Sequence, residues 1–142
     1  MLYFLIIQSM KKNKKGSLVV EFALVFPILI FIVFILIDIL RIFNAQILLN
    51  RMAMQAVNYA TRYVSYNKLP SQKEVEAYIL NHIIPPIKKD FLEITVSYCE
   101  SFEIYTIQVK LQYNLKILTP IVSSIIGGYY EIESEASLPY QI

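Results

Sequence analysis

The chain has 142 residues, 56% hydrophobic and 17% charged, with 13 basic against 11 acidic side chains and a net charge of +2. That length holds one small domain beside an apolar element, and no arginine-rich stripe interleaved with aromatics is present to serve as a nucleic-acid footprint, so nucleic acid is not an expected partner. A single cysteine, Cys99, and a single histidine, His82, exclude an intramolecular disulfide and leave no second histidine to build a metal site.

The first element follows a lysine cluster. Lys11, Lys12, Lys14 and Lys15 precede Gly16, and from Leu18 to Ile37 every residue but Glu21 is apolar. About 20 such residues at 1.5 Å rise cover the roughly 30 Å hydrocarbon core of a bilayer, which predicts a transmembrane helix over 17–38. Short basic flanks stay on the cytoplasmic side, so the four lysines set a single-pass topology in the cell membrane, with the N-terminus cytoplasmic and the C-terminal domain extracytoplasmic. Glu21 is an ionisable group at membrane depth. An acidic residue costs about 2.5–3.5 kcal/mol at a span centre and less near an end, so Glu21 is expected to find a partner. Pro27 leaves the carbonyl of Ala23 without its usual donor and is the expected kink of the span, a defect that a neighbour, water or local bending repairs.

Gly16-Ser17-Leu18-Val19-Val20-Glu21 resembles a class III (type IV-type) prepilin processing site: a basic leader, Gly before the cut, and Glu at the fifth mature position inside an apolar helix. The continuation Val20-Glu21-Phe22-Ala23-Leu24-Val25-Phe26-Pro27 is similar to the VEFALVxP motif of the TadE-like proteins of tight-adherence (Flp) pilus assembly. The resemblance implies a leader over 1–16, cleaved between Gly16 and Ser17 by a prepilin peptidase that recognises chiefly Gly16 and Glu21. It also implies a minor pilin or pseudopilin whose partners are other pilins, an inner-membrane assembly platform and membrane lipid, possessing no cofactor. Met10 followed by Lys-Lys-Asn-Lys-Lys-Gly makes a compact leader, and a longer one beginning at Met1 is the rival; both give the same mature chain. Taking the four leader lysines from the 13 basic residues leaves 9 against 11 acidic ones, a net of −2 for residues 17–142. Two alternatives stand beside this reading. One is an uncleaved signal anchor carrying an extracytoplasmic binding module, with Glu21 reaching toward the interface. The other is a pseudopilin of type II secretion or competence, although those typically show Phe first and a Thr-Leu-x-Glu run where this chain has Ser17 and Val19-Val20-Glu21.

Beyond Ile37 the helical period continues. Leu49, Ala53, Ala56, Val57, Ala60 and Val64 fall on one face at steps of three and four, which predicts a spine helix continuing over 39–66, for about 50 residues or 75 Å in all. Met54 to Tyr63 also resembles the A-x-x-A-A-R-Y stretch that follows the membrane helix in TadE-like proteins. Asn67-Lys68-Leu69-Pro70 ends the spine. Ser71 and Glu74 form a capping box for a second helix over about Gln72–Ile84, stopped by Pro85-Pro86, with His82 in its last turn as a surface or helix-dipole residue.

The rest of the small α+β domain, 67–142, reads as strand. Ile94, Val96 and Tyr98 alternate with polar neighbours, and from Tyr105 to Ile117 the alternation is sustained for thirteen residues, as in a sheet with one buried and one wet face. Glu100-Ser101-Phe102 is the expected turn. A third strand over about Tyr130–Leu138 puts Ile132, Ala136 and Leu138 on one face and Glu131, Glu133 and Glu135 on the other, opposite Lys110 and Lys116 if it pairs with the second strand. The connection Leu118–Tyr129 holds Thr119-Pro120, which resembles the connection before the last strand of TadE-like proteins, then an apolar run expected to cover the sheet, with an exposed assembly patch as the alternative. Gly127-Gly128 lacks the Lys and Ser/Thr of a phosphate loop. No nucleophile pair, ligand cluster or Ser-His-Asp set stands out, so no enzyme is expected. Cys99, on the predicted wet face, is a free thiol or an intermolecular bridge. The expected class is α+β and pilin-like: a long N-terminal transmembrane and spine helix with a small antiparallel sheet of three to four strands.

Overall fold

The apolar run and the alanine face that follows it form one helix in the computed structural model, α1, Leu2–Val64. The structure describes residues 2–64, 69–101 and 104–140, with backbone only for residues 2–15, Val64, Ser101 and Ile104. The expected end of the spine, Tyr66, lies outside the described residues, as does Phe102 of the expected turn. The chain divides into two compact units, Met1–Ile37 and Asp38–Ile142, and α1 contributes to both.

The first unit is helix alone. Its side chains from Leu18 onward are largely exposed, Leu18 at 65% and Leu24 at 68%, and α1 contains a stretch long and apolar enough to cross a membrane. Helix runs through Pro27 and through Gly16. Backbone hydrogen bonding within one helix satisfies the polar groups of an apolar segment without help from a neighbour, which is why this sequence can stand as a helix with so little packed against it.

In the second unit the α1 face of small residues is buried as its period predicts: Leu49, Ala53, Ala56, Val57 and Ala60 are each fully covered. Ala45 and Met52 extend that face. Helix α2, Gln72–Asn81, starts with the capping box, the Ser71 hydroxyl accepting from the Glu74 amide and the Glu74 carboxylate accepting from the Ser71 amide. It ends three residues before the expected Ile84. The His82 amide turns back to the carbonyls of Tyr78 and Ile79, and Pro85 disfavours the helical conformation at the residue before it, so the last turn cannot propagate. Lys89–Phe91 form a single 3-10 turn.

Three strands follow, β1 (Leu92–Ser101), β2 (Ile104–Lys116) and β3 (Tyr129–Tyr140), in an antiparallel sheet of order β1-β2-β3. The expected turn at Glu100-Ser101-Phe102 comes too early, because Glu100 and Ser101 still pair with Tyr105 and Ile104. The alternation sets the faces. Ile107, Val109, Leu111, Tyr113 and Leu115 of β2 are buried, as are Ile132 and Ser134 of β3, while Glu131, Glu133 and Glu135 are exposed. The core joins this sheet face to Leu49, Ala53 and Ala56 of α1 and to Val75 and Ile79 of α2. Each fully buried Leu or Ile contributes about 1.5–3 kcal/mol relative to exposure, and the alanines let the backbones come close enough to bury them.

The connection between β2 and β3 departs from expectation. Pro120–Ile126 form a third helix, α3, with Pro at its start and a left-handed Gly127 (φ 88°) at its end, whose amide returns to the Ser123 carbonyl. An L side chain rarely adopts that backbone conformation, which is the reason for glycine there. The apolar run does not cover the sheet: Ile121 is 57% exposed, Ile125 80% and Ile126 48%. In so short a helix, Ile121 and Ile125 share one face at a spacing of four, and that face points to solvent. The result is the α+β, pilin-like layout, a long N-terminal helix followed by a small three-stranded antiparallel sheet.

Candidate functional site

Two places carry chemistry-bearing residues, one in each unit. In the first, Gly16, Ser17 and Glu21 lie on consecutive turns of α1, all exposed. A Cβ built on Gly16 would meet nothing within 4 Å. Glycine inside a helix costs about 0.8–1.0 kcal/mol relative to alanine, and no close approach among the described residues calls for it. Glu21 has no hydrogen-bond or ion-pair partner among the described residues. One turn on, the rings of Phe22 and Phe26 stack at 5.7 Å. The side chains of Lys11, Lys12, Lys14 and Lys15 lie outside the described residues.

The second place was not legible as a site in the sequence. Asp38, the first residue of the second unit, is 4% exposed. Its Oδ2 accepts from the Thr119 hydroxyl and from the Thr119 amide at 2.8 Å; its Oδ1 accepts from the Leu118 amide at 3.1 Å and from Arg41 Nη1 at 3.2 Å. Four donors on two oxygens match the acceptor capacity of an ionised carboxylate. Arg41, one turn along α1, also donates Nη1 to the Lys116 carbonyl at 3.1 Å. Further along the same helix, Gln46 donates to the Glu133 carbonyl at 2.9 Å and Asn50 accepts from the Ser134 hydroxyl at 2.6 Å. These side chains stitch α1 to the ends and edge of the sheet by polar contacts. The only local signals were an acid directly after an apolar run and a Thr before Pro; nothing local relates positions 81 residues apart.

On the wet face, Lys110 lies 2.7 Å from Glu133, and that carboxylate holds the ammonium above its ordinary value. Gln108 reaches Glu135 and Gln112 reaches Glu131. Lys116 pairs in register with Tyr129, so of the two expected lysine partners of the glutamate row only Lys110 meets it. Tyr98 donates its hydroxyl to the Pro70 carbonyl at 2.6 Å; burial first, then the charges of Tyr140 and Glu74, push the phenol above its ordinary value. His82 Nδ1 lies 2.8 Å from the Tyr78 carbonyl, a local contact within its own helix end. Cys99 is exposed with a free thiol. Among the described residues no group of three or more His, Cys, Asp or Glu is placed to hold a metal ion.

A family model described as TadE-like protein matches residues 16–58. No curated protein and no solved structure matches the chain. The matched stretch begins at Gly16, contains Ser17, Glu21, Pro27 and Asp38, and takes in the buried face of α1 as far as Val57, ending before Ala60. Over residues 16–58 the chain is similar to the TadE-like family.

Proposed function

We propose that this chain is a minor pilin or pseudopilin acting in assembly of a tight-adherence (type IVc-like) pilus, and that a prepilin peptidase removes residues 1–16. The observation that carries the reading is the family match beginning at Gly16 and including Glu21. Gly16 supports it physically: the fold has no steric use for a glycine there, whereas a peptidase that must bring its machinery against the scissile backbone does. In this reading Lys11, Lys12, Lys14 and Lys15 hold the leader on the cytoplasmic side, residues 17–38 cross the membrane, and 39–66 carry the extracytoplasmic domain.

After cleavage, Ser17 offers a free amine at the end of an apolar helix. Glu21, which has no partner among the described residues, pairs with the Ser17 amine of a neighbouring subunit, so that a carboxylate costly to bury fixes the register of assembly. The test is Glu21→Ala. The variant stays in the membrane fraction and is lost from sheared pili; pili that contain the variant at the normal level contradict the pairing. The assembly platform and other pilins are the implied partners.

A further inference from the structure

Arg41, Lys88 and Lys116 converge on one recess of about 470 Å³ within the second unit, walled in part by Phe91, Leu118 and Tyr129. Its size is that of a small-ligand site. Among the described residues no acidic side chain lines it. Asp38, which binds Arg41 of its lining, is also engaged by Thr119 and Leu118. Arg41 is held in place by its two Nη1 contacts, to Asp38 and to the Lys116 carbonyl. Lys88 and Lys116 are exposed and have no ion-pair partner among the described residues. The recess is thus a set of three cations, one of them pre-oriented, beside an apolar wall in which the rings of Phe91 and Tyr129 stack at 6.0 Å.

We propose that this recess binds the headgroup of an anionic phospholipid in the leaflet where the membrane helix emerges. The inference rests on reading residues 17–38 as a span. Chemistry and position both favour lipid over another anion. An arginine fork and two ammonium groups suit a phosphate diester, and an apolar wall beside them suits the glycerol and first acyl carbons. Arg41 follows Ile37 by four residues of continuous helix, about 6 Å along the axis, so covalent connection alone keeps the recess near the end of the apolar run. Leu118, bonded through its amide to Asp38, is 55% exposed, and α3 next to it carries no charge while turning Ile121 and Ile125 outward. Tyr129 and Tyr130, both exposed, add the aromatic side chains that favour the membrane–water interface.

The experiment is native mass spectrometry of the full chain released from nanodiscs holding equal amounts of phosphatidylglycerol and phosphatidylcholine. Retained adducts are expected to be predominantly phosphatidylglycerol, and Lys88→Gln and Lys116→Gln to lower their abundance about fivefold per lysine removed, with an unchanged melting temperature. Equal retention of both lipids, or adducts indifferent to the two substitutions, overturns the proposal. Displacement of the lipid by inorganic phosphate at matching concentration makes the recess a free-anion site and also overturns it, as does a dimer that excludes lipid and so gives the recess to a second copy. Alkaline carbonate extraction separates the two readings. Release of the chain from membranes sinks the span and the recess together, whereas a retained chain without lipid preference sinks the recess alone.

Discussion

Asp38 and Thr119, 81 residues apart, are joined by two hydrogen bonds to one carboxylate oxygen, from the Thr119 amide and from its hydroxyl. Both residues are buried, and Thr119 is fully covered. The contact ties the connection after β2 to α1 at the residue that directly follows the apolar run, and so fixes where α3 begins.

Asp38→Asn and Thr119→Val should each lower the stability of the second unit by about 1–3 kcal/mol, because each leaves buried donors or an acceptor without a partner. The double variant should cost less than the sum, since the two changes remove shared bonds. Urea unfolding followed by tyrosine fluorescence measures all three; strictly additive losses would mean that the pair is not coupled.

Ala56→Leu should destabilise by about 1–3 kcal/mol through overpacking. Ala56 is fully buried on the α1 face that joins the sheet and α2 in one core. A thermal melt unchanged by the substitution would show that the close approach of α1 is not required.

Ser71→Ala should cost about 1 kcal/mol by opening the capping box of α2. Amide exchange is the local readout: protection should fall at Glu74 and Val75, whose amides bond Ser71, and stay constant in β2.

Above pH 10 the second unit should lose stability as pH rises. Tyr98 has its phenol held above the ordinary value of 10.0 by burial and by neighbouring negative charge, so the unfolded chain releases that proton first and gains from each further rise in pH until the native phenol also ionises. Tyr98→Phe removes this component of the alkaline slope together with the bond to the Pro70 carbonyl. Equal slopes in wild type and variant would assign the alkaline loss to other groups.

Periodicity made most of the fold legible. Steps of three and four picked out Leu49, Ala53, Ala56, Val57 and Ala60, and alternation picked out the buried face of β2, because both patterns follow directly from backbone geometry. The capping box was equally local and equally readable. The failures involve contacts distant in sequence. The Asp38 clamp depends on a partner 81 residues away, and α3 was read as a sheet cover because four apolar residues look the same whether their face meets a core or points outward. Asn50, which is not part of the apolar period of α1, accepts from Ser134; polar stitching at the edge of a core leaves no hydrophobic period to find. At the N-terminal motif, Gly16 and Glu21 stand out for the opposite reason, since each breaks the local preference of the segment around it.

Cleavage between Gly16 and Ser17 is tested by the intact mass of the protein isolated from membranes of cells with and without the prepilin peptidase. A chain beginning at Ser17 is expected in cells that have the enzyme and a chain retaining the leader in cells that lack it. An uncut chain in both strains would contradict it and would leave the apolar run as a permanent signal anchor.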